Sequence, residues 1–189
     1  MSTFTFEESH EKYYSAEVAP LMKIISVEDS EFLPEDVCVG CNLCELACSM
    51  FHEDVVNPRR SRIQIHRAAH DKHAQGAAGN YWDYPVVCRQ CEHVYCVEAC
   101  PVDCFTLTAS TGTFDVVAEE CIGCALCVEA CPWGEIFMDP QTNLAVKCDL
   151  CGDAEPQCVE ICPSDVLKLV EVAASEGFRP VPVHGGMAY

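Results

Sequence analysis

Sixteen of the 17 cysteines in this 189-residue chain fall into four short groups. The first contains Cys38, Cys41, Cys44 and Cys48; the second Cys88, Cys91, Cys96 and Cys100; the third Cys121, Cys124, Cys127 and Cys131; and the fourth Cys148, Cys151, Cys158 and Cys162. Cysteine thiolates are soft ligands for zinc and for iron–sulfur clusters. Because the total is odd, a fully paired set of disulfides does not account for it. The groups therefore predict chemistry carried by bound metal.

The spacing within the groups favours iron–sulfur clusters over zinc. The first and third groups read C-x2-C-x2-C-x3-C, and the other two keep the outer intervals but widen the middle one. Proline follows the last cysteine in three groups, as Pro101, Pro132 and Pro163. C-x2-C-x2-C-x3-C-P is the bacterial ferredoxin signature for a 4Fe–4S cluster, in which the fourth cysteine binds the other cluster of a pair. Structural zinc sites also use C-x2-C pairs, but not four such tight groups of four. We therefore expect four 4Fe–4S clusters, with each fourth cysteine at the start of a helix.

The charge and hydropathy of the chain exclude several classes of function. Eleven Lys and Arg stand against 30 Asp and Glu, so the net charge is −19. Nucleic-acid binding needs basic patches, and the one short basic run, at residues 59–62, does not supply them. No apolar stretch reaches the roughly 18 residues of a membrane span, and residues 1–20 lack the pattern of a secretory signal. We therefore expect a cytoplasmic location, where reduced cysteines favour metal over disulfides.

Internal repeats and short β-patterns predict the fold. The first and third groups match at seven of eleven positions, with Gly40 and Gly123 before the second cysteine of each. Residues 105–117 predict a β-hairpin that turns at Ser110–Gly112, and a short helix and a second hairpin, turning at Asp139–Asn143, are expected after Cys131. These patterns predict an α+β chain of tandem bacterial-ferredoxin-like dicluster folds, with a cluster-dominated core, short helices and β-hairpins.

The same repeats divide the chain into regions. Residues 35–170 form the four-cluster domain, with an inner dicluster unit at 85–135 and an outer pair made from 38–48 and 148–162. Residues 1–34 and 171–189 are an N-terminal arm and a C-terminal tail, and both look like segments that wrap a partner.

From about Val37 to Val170 the chain resembles the four-cluster iron–sulfur electron-transfer subunits of molybdenum and tungsten oxidoreductases. In that family the first group exchanges its fourth ligand with the fourth group, and the second with the third. The resemblance implies four ligand sets: Cys38, Cys41, Cys44 and Cys162; Cys148, Cys151, Cys158 and Cys48; Cys88, Cys91, Cys96 and Cys131; Cys121, Cys124, Cys127 and Cys100. Ser49 departs from the pattern because proline follows the last cysteine in the other groups.

Two segments, residues 48–63 and 85–92, resemble the small ferredoxin-like subunits of tungsten enzymes of the aldehyde oxidoreductase family. That family includes the catalytic subunit of tungsten-dependent benzoyl-CoA reductase. The resemblance implies a larger tungsten- or molybdenum-pterin catalytic subunit as the partner, with a further redox subunit or a ferredoxin. Similar small subunits serve carbon monoxide dehydrogenase and hydrogenases, which stay as alternatives beside a free polyferredoxin.

The sequence contains no catalytic constellation. It has no phosphate-binding glycine loop, no G-x-S-x-G and no C-x3-C-x2-C, and four cysteines per cluster leave no iron open to substrate. We therefore expect a non-catalytic relay of single electrons. A protein of another class, a structural adaptor whose clusters only brace the fold, is the further alternative, and reducibility of the clusters separates the two.

Three features outside the cysteine groups carry weaker expectations. Cys104, the seventeenth cysteine, is predicted to be a buried thiol and not a ligand. His66, His70 and His73 have the spacing of one helix face, within a stretch that reads as a polar insertion. Lys147 precedes Cys148, where it either places positive charge near a cluster or is a solvated surface residue.

Overall fold

A computed structural model describes residues 21–27, 38–67, 83–91 and 93–173. The strands are β1 (Leu21–Val27), β2 (Ile63–His66), β3 (Tyr84–Val87), β4 (Phe105–Thr108), β5 (Thr113–Val116), β6 (Phe137–Met138), β7 (Ala145–Val146) and β8 (Leu167–Ala173). The helices are α1 (Leu43–Glu53), α2 (Tyr95–Glu98), α3 (Leu126–Ala130) and α4 (Gln157–Glu160), with a 3₁₀ turn at Pro58–Arg60. This mixture of short helices and hairpins confirms the predicted α+β class.

The strands of this region pair as four two-stranded antiparallel sheets: β1 with β8, β2 with β3, β4 with β5, and β6 with β7. The two predicted hairpins are confirmed as β4–β5, where Phe105 pairs with Val116, and β6–β7, where Phe137 pairs with Val146. The β1–β8 pair joins Leu21 to Ala173 and Val27 to Leu167. Residues 21–27 of the predicted N-terminal arm therefore lie against the end of the four-cluster region, whereas the rest of the arm and residues 174–189 lie outside the described residues.

Each helix begins one residue before the third cysteine of its group, and those of the last three groups end before the fourth. The prediction that the fourth cysteine begins a helix is therefore wrong. The C-x3-C interval is one helical turn, which brings its two cysteines to the same face. Proline then ends the turn because the residue before it is driven out of the α region, and Cys131 accordingly has φ −72° and ψ 111°. The short helix expected after Cys131 is likewise wrong, since a turn stands there.

The first group differs from the others because no proline follows its last cysteine. Ser49 replaces the proline, and helix α1 continues past Cys48 to Glu53. Ser49 is fully buried and its hydroxyl accepts a hydrogen bond from the Asn57 backbone, 3.1 Å away. The departure from the family pattern therefore lengthens a helix and anchors the chain that follows it.

Cysteines make up much of the buried core. Ile63 and Leu167, each 1% exposed, pack in one cluster with cysteines of the first, second and fourth groups. Two smaller clusters form around Phe114 and around Ile136. Helix α1 packs against α4, and α2 against α3, so the first group adjoins the fourth and the second adjoins the third. Among the helices of the described residues, none has the length and apolar character needed to cross a membrane.

Candidate iron–sulfur centres

The second group provides the most complete site. Cys88, Cys91 and Cys96 line a cavity, partly open to solvent, together with Cys131 from the third group. Val94, Phe114 and Ile136 also line it. Four cysteines that line one largely apolar cavity provide the thiolate donor set of a 4Fe–4S cluster, so the residues present fit that group.

The protonation of these thiols depends on what binds them. Burial, and then the sulfur of Cys88, raises the pKa of both Cys91 and Cys96 to about 12. Cys131 contributes to both shifts. Without a compensating cation the thiols therefore stay protonated at neutral pH, and binding of iron must release their protons.

The fourth group lies against the first-group helix. Burial and then the neighbouring sulfurs of Cys48 and Cys151 raise the pKa of Cys158, and burial raises that of Cys151 to about 11 with a contribution from Cys48. Cys48 thus adjoins Cys151 and Cys158 of the fourth group, although it belongs to helix α1. Its sulfur accepts a hydrogen bond from the Arg62 backbone at 3.3 Å.

The first group has a cysteine of the fourth group as its neighbour, just as the fourth group has Cys48 of the first. Burial raises the pKa of Cys38, with Cys41 and Cys162 adding to the shift. The pKa of Cys44 is raised to about 12 by burial, then by Glu45, with Cys38 and Cys41 contributing. Cys162 of the fourth group therefore adjoins Cys38.

Cys104 lies between Cys100 and the third group, and its side chain contacts both. Burial raises the pKa of Cys127 to about 11, with Cys121 and Cys124 contributing. The Sγ atoms of Cys100 and Cys104 are 3.4 Å apart, and the Cys104 side chain also contacts that of Cys121. At 3% exposure Cys104 is buried, as its sequence predicts, but its position between two predicted ligands carried no sequence signal.

A shared backbone conformation marks all four groups. The residue before the second cysteine has positive φ each time: 63° at Gly40, 50° at Gln90, 68° at Gly123 and 59° at Leu150. Glycine adopts this conformation at no steric cost, which makes two of the four positions visible in the sequence. Gln90 and Leu150 adopt it without that signal.

Backbone amides point at the fourth cysteines as well. The N–H of Cys104 donates to Cys100 Sγ and that of Glu135 to Cys131 Sγ, both at 3.4 Å. Although burial opposes it, the pKa of Cys162 is lowered by backbone hydrogen bonds, the largest from Val166. In these three groups the donor stands four residues after the cysteine, so the chain turn that follows proline supplies it whatever the side chain.

Lys147, His66 and His52 are three residues outside the cysteine groups whose positions the structure describes. Lys147 is 4% exposed, which excludes the solvated alternative. His66 ends strand β2, so a helix face through it is wrong, and His70 and His73 lie outside the described residues. His52, which sequence reasoning passed over, lies with Nε2 3.9 Å from Cys151 Sγ and 3.4 Å from Asp149 Oδ1. Burial, then Arg62, lowers the pKa of His52 to about 4, so it is neutral at pH 7.

Comparison with known proteins places the chain in a family. A 4Fe–4S dicluster domain matches residues 80–172, and a 4Fe–4S binding domain matches residues 35–50. The thiosulfate reductase electron transfer subunit PhsB of Salmonella typhi is 34% identical over 148 residues, which cover 75% of each chain. The chain belongs to the family of iron–sulfur electron-transfer subunits of oxidoreductases.

Further members of this electron-transfer family and a solved structure are similar. The polyferredoxin-like subunit of an aliphatic sulfonate oxidoreductase from Pyrococcus furiosus is 36% identical over 149 residues, covering 77% of this chain and 78% of the relative. A chain of the active site complex BamBC of benzoyl coenzyme A reductase is 25% identical, with 80% of this chain and 81% of that chain covered and a TM-score of 0.45. The expected class, a 4Fe–4S electron-transfer subunit of ferredoxin-like fold, is confirmed.

Proposed function

We propose that this chain is a cytoplasmic, non-catalytic subunit that relays single electrons through four 4Fe–4S clusters. Its partner is a larger tungsten–pterin catalytic subunit of the aldehyde oxidoreductase or benzoyl-CoA reductase type, and a further redox subunit or ferredoxin completes the path. The observation that carries the proposal is the cavity in which Cys131 of the third group joins Cys88, Cys91 and Cys96 of the second.

The proposed ligand sets follow the exchange described for the family. Cys48 serves the fourth group and Cys162 the first, while Cys131 serves the second group and Cys100 the third. The packing of α1 on α4 and of α2 on α3 supports this exchange, as do the neighbours of Cys48, Cys131 and Cys162.

A bound 4Fe–4S cluster supplies reversible one-electron chemistry, and the chain sets the conditions for it. In the cavity of the second group, buried or half-buried thiols and the apolar side chains of Val94, Phe114 and Ile136 would keep a bound cluster away from water. Backbone N–H groups that donate to the ligand sulfurs stabilise negative charge there, which is one way in which a protein tunes cluster potentials.

The tungsten partner is supported by the resemblance of residues 48–63 and 85–92. Anaerobic purification from the native source, followed by metal analysis of each co-eluting subunit, tests it. We expect about 16 iron and 16 sulfide in this chain, with tungsten in the larger subunit. Nickel in that subunit would assign the chain to a carbon monoxide dehydrogenase or hydrogenase, and elution as a lone monomer would leave a free polyferredoxin. Clusters that a low-potential reductant fails to reduce would indicate the structural adaptor.

The ligand exchange has its own test. Cys48→Ala should damage the cluster of Cys148, Cys151 and Cys158 and leave that of the first three cysteines of its own group intact. Electron paramagnetic resonance of each reduced variant identifies the affected cluster, with Cys44→Ala as the matched variant that damages the other one. Loss of the same signal in both variants would contradict the exchange.

A further inference from the structure

Lys147 lies in the interior between two cysteine groups. It directly precedes Cys148, is 4% exposed, and donates from Nζ to Gln90 Oε1 at 3.1 Å, to the Cys148 carbonyl at 3.0 Å and to the Phe114 carbonyl. These three acceptors come from the second-group loop, the fourth-group loop and strand β5. The ammonium therefore links the inner pair of groups to the outer pair.

The hydrogen-bond acceptors of this ammonium are neutral, although burial of a charge is costly without a compensating one. Asp115 also acts electrostatically on Lys147. Its carboxylate, however, accepts hydrogen bonds from the hydroxyls of Thr108 and Thr113. Lys147 lines the same cavity as Cys88 and Cys96 and directly precedes Cys148, and these three sulfurs would become negatively charged when iron binding releases their protons. Two of these belong to the proposed second-group cluster and one to the fourth-group cluster.

We propose that Lys147 is a fixed positive charge at the junction of the two cluster pairs and that it raises the reduction potentials of both adjoining clusters. This inference rests on the proposed function, because it needs clusters at those two positions. Each reduction adds one negative charge, so a nearby cation in a medium of low polarity stabilises the reduced form more than the oxidised form. The ligand exchange links clusters within each pair, whereas Lys147 acts where an electron crosses from one pair to the other.

Gln90 is the positioning residue for this charge. It is 5% exposed, its Oε1 accepts from Lys147, and its Nε2 donates to the Cys148 carbonyl at 2.8 Å. The amide therefore fixes both the lysine and the loop of the fourth group. Gln90 lies in the loop between the second-group cysteines Cys88 and Cys91, where its backbone has a positive φ of 50°.

The test compares charge removal at two positions in the full, anaerobically reconstituted chain. Lys147→Gln removes the buried charge, Lys147→Arg keeps it, and Arg59→Gln removes one charge from an exposed side chain as the matched control. Redox titration followed by electron paramagnetic resonance should show two of the four couples moving to lower potential in K147Q. An expected tenfold fall in each reduction equilibrium constant equals about 59 mV for one electron. K147R and R59Q should leave all four couples unchanged.

A second variant guards against a folding defect in K147Q. Gln90→Glu keeps the lysine but places a carboxylate on its ammonium, and it should lower the same two potentials. An equal shift of all four couples, or no shift in either K147Q or Q90E, would overturn the inference. If K147Q loses iron, the potentials of Q90E decide the outcome. Iron content of the wild-type chain separates this failure from that of the proposed function, since a wild type without about 16 iron contradicts the function itself.

Discussion

Cys104 is the cysteine that most directly tests the ligand assignment, because its sulfur lies 3.4 Å from that of Cys100. Two roles are open to it: its side chain binds iron, or only its backbone amide serves the neighbouring ligand. The amide donates to Cys100 Sγ, and Glu135 performs the same service for Cys131 with a quite different side chain. The backbone role is therefore sufficient, and the thiol fills a buried position.

We accordingly expect Cys104→Ser to retain the full iron and sulfide content. The serine hydroxyl is smaller than the thiol, and the backbone N–H of residue 104 still donates to Cys100 Sγ. Iron and sulfide analysis of the anaerobically prepared variant measures this, with Cys100→Ser as the control that should lose about four iron. Loss of about four iron from the Cys104 variant would show that the ligand list is wrong.

At this scale the sequence marks candidate ligands more directly than it marks the residues around them. Cysteine spacing marks candidate ligands directly, since a cluster restricts how far apart they stand along the chain. Gln90 and Leu150 have no comparable mark, because their positive φ is imposed by the loop and not by residue type. The burial of Lys147 depends on acceptors from residues 90, 114 and 148, so only the folded chain defines it.

Among the secondary-structure elements, the third-group loop meets the β6–β7 turn at Gly123. A Cβ on this glycine would lie 2.4 Å from the Asn143 carbonyl oxygen, whereas a Cβ on Gly134 would meet nothing within 4 Å. Their φ angles are nearly equal, at 68° and 65°. The two glycines therefore separate the cost of backbone conformation from the cost of collision.

Gly134→Ala should destabilise the protein by about 1–2 kcal/mol, the cost of a left-handed alanine. Gly123→Ala should cost more, because the hairpin turn must also move, and it should lower iron occupancy of the third-group site. The rate of cluster bleaching in denaturant and the iron content of both variants measure these effects. Equal effects of the two substitutions would show that the turn yields without resistance.

Ion pairs connect the segment after α1 to the same hairpin. Arg60 donates to Asp139 Oδ2 from Nε at 2.9 Å and from Nη2 at 2.7 Å, and it also pairs with Glu53. Although burial opposes the shift, the hydrogen bond from Arg60 and those from the Gln141 and Thr142 backbones lower the pKa of Asp139. A carboxyl with a lowered pKa stabilises the folded state above its unfolded pKa and loses that effect as pH falls through the folded value.

Asp139→Asn should therefore unfold faster than the wild type, by an amount that stays constant from pH 8 to about pH 5. The difference should shrink only below the ordinary aspartate value of 3.8, where the wild-type carboxyl also becomes protonated. Unfolding rates in denaturant across this range provide the measurement, with Asp153→Asn as the control at an exposed acid. A difference that vanishes already at pH 6 would contradict the sign of the shift.

Local patterns predicted the two hairpins because each is formed by residues adjacent in sequence. The β1–β8 pair joins residues 21–27 to 167–173, and no local pattern specifies a partner so distant along the chain. The helices were predicted beside the right cysteines but in the wrong position. The i, i+4 reach of one helical turn explains C-x3-C better than a helix that begins at its last residue.

At the scale of the whole molecule, the loops of the first and third groups, whose sequences match, lie at the surface of the part of the chain that the structure describes. Cys41 and Cys124 are exposed, whereas the other cysteines are buried or half-buried. Val39 and Ile122, the corresponding residues of the two loops, are 66% and 63% exposed. The proposed exchange places these first and third groups in different pairs, so each pair of clusters has one loop at the surface.

The net charge determines how redox partners approach those loops. The chain carries −19, and the four proposed clusters, when oxidised and with their thiolates, would bring the total to about −27. We expect reduction of the clusters by the methyl viologen radical cation to slow severalfold as ionic strength rises from about 0.01 to 0.5 M, because salt screens the attraction. Reduction by anionic dithionite should instead accelerate, since salt screens repulsion. Stopped-flow absorbance measures both rates on one preparation, and the opposite signs exclude a general effect of salt on the fold. Rates with either reductant that do not depend on salt would show that the acidic surface lies away from the points of electron entry.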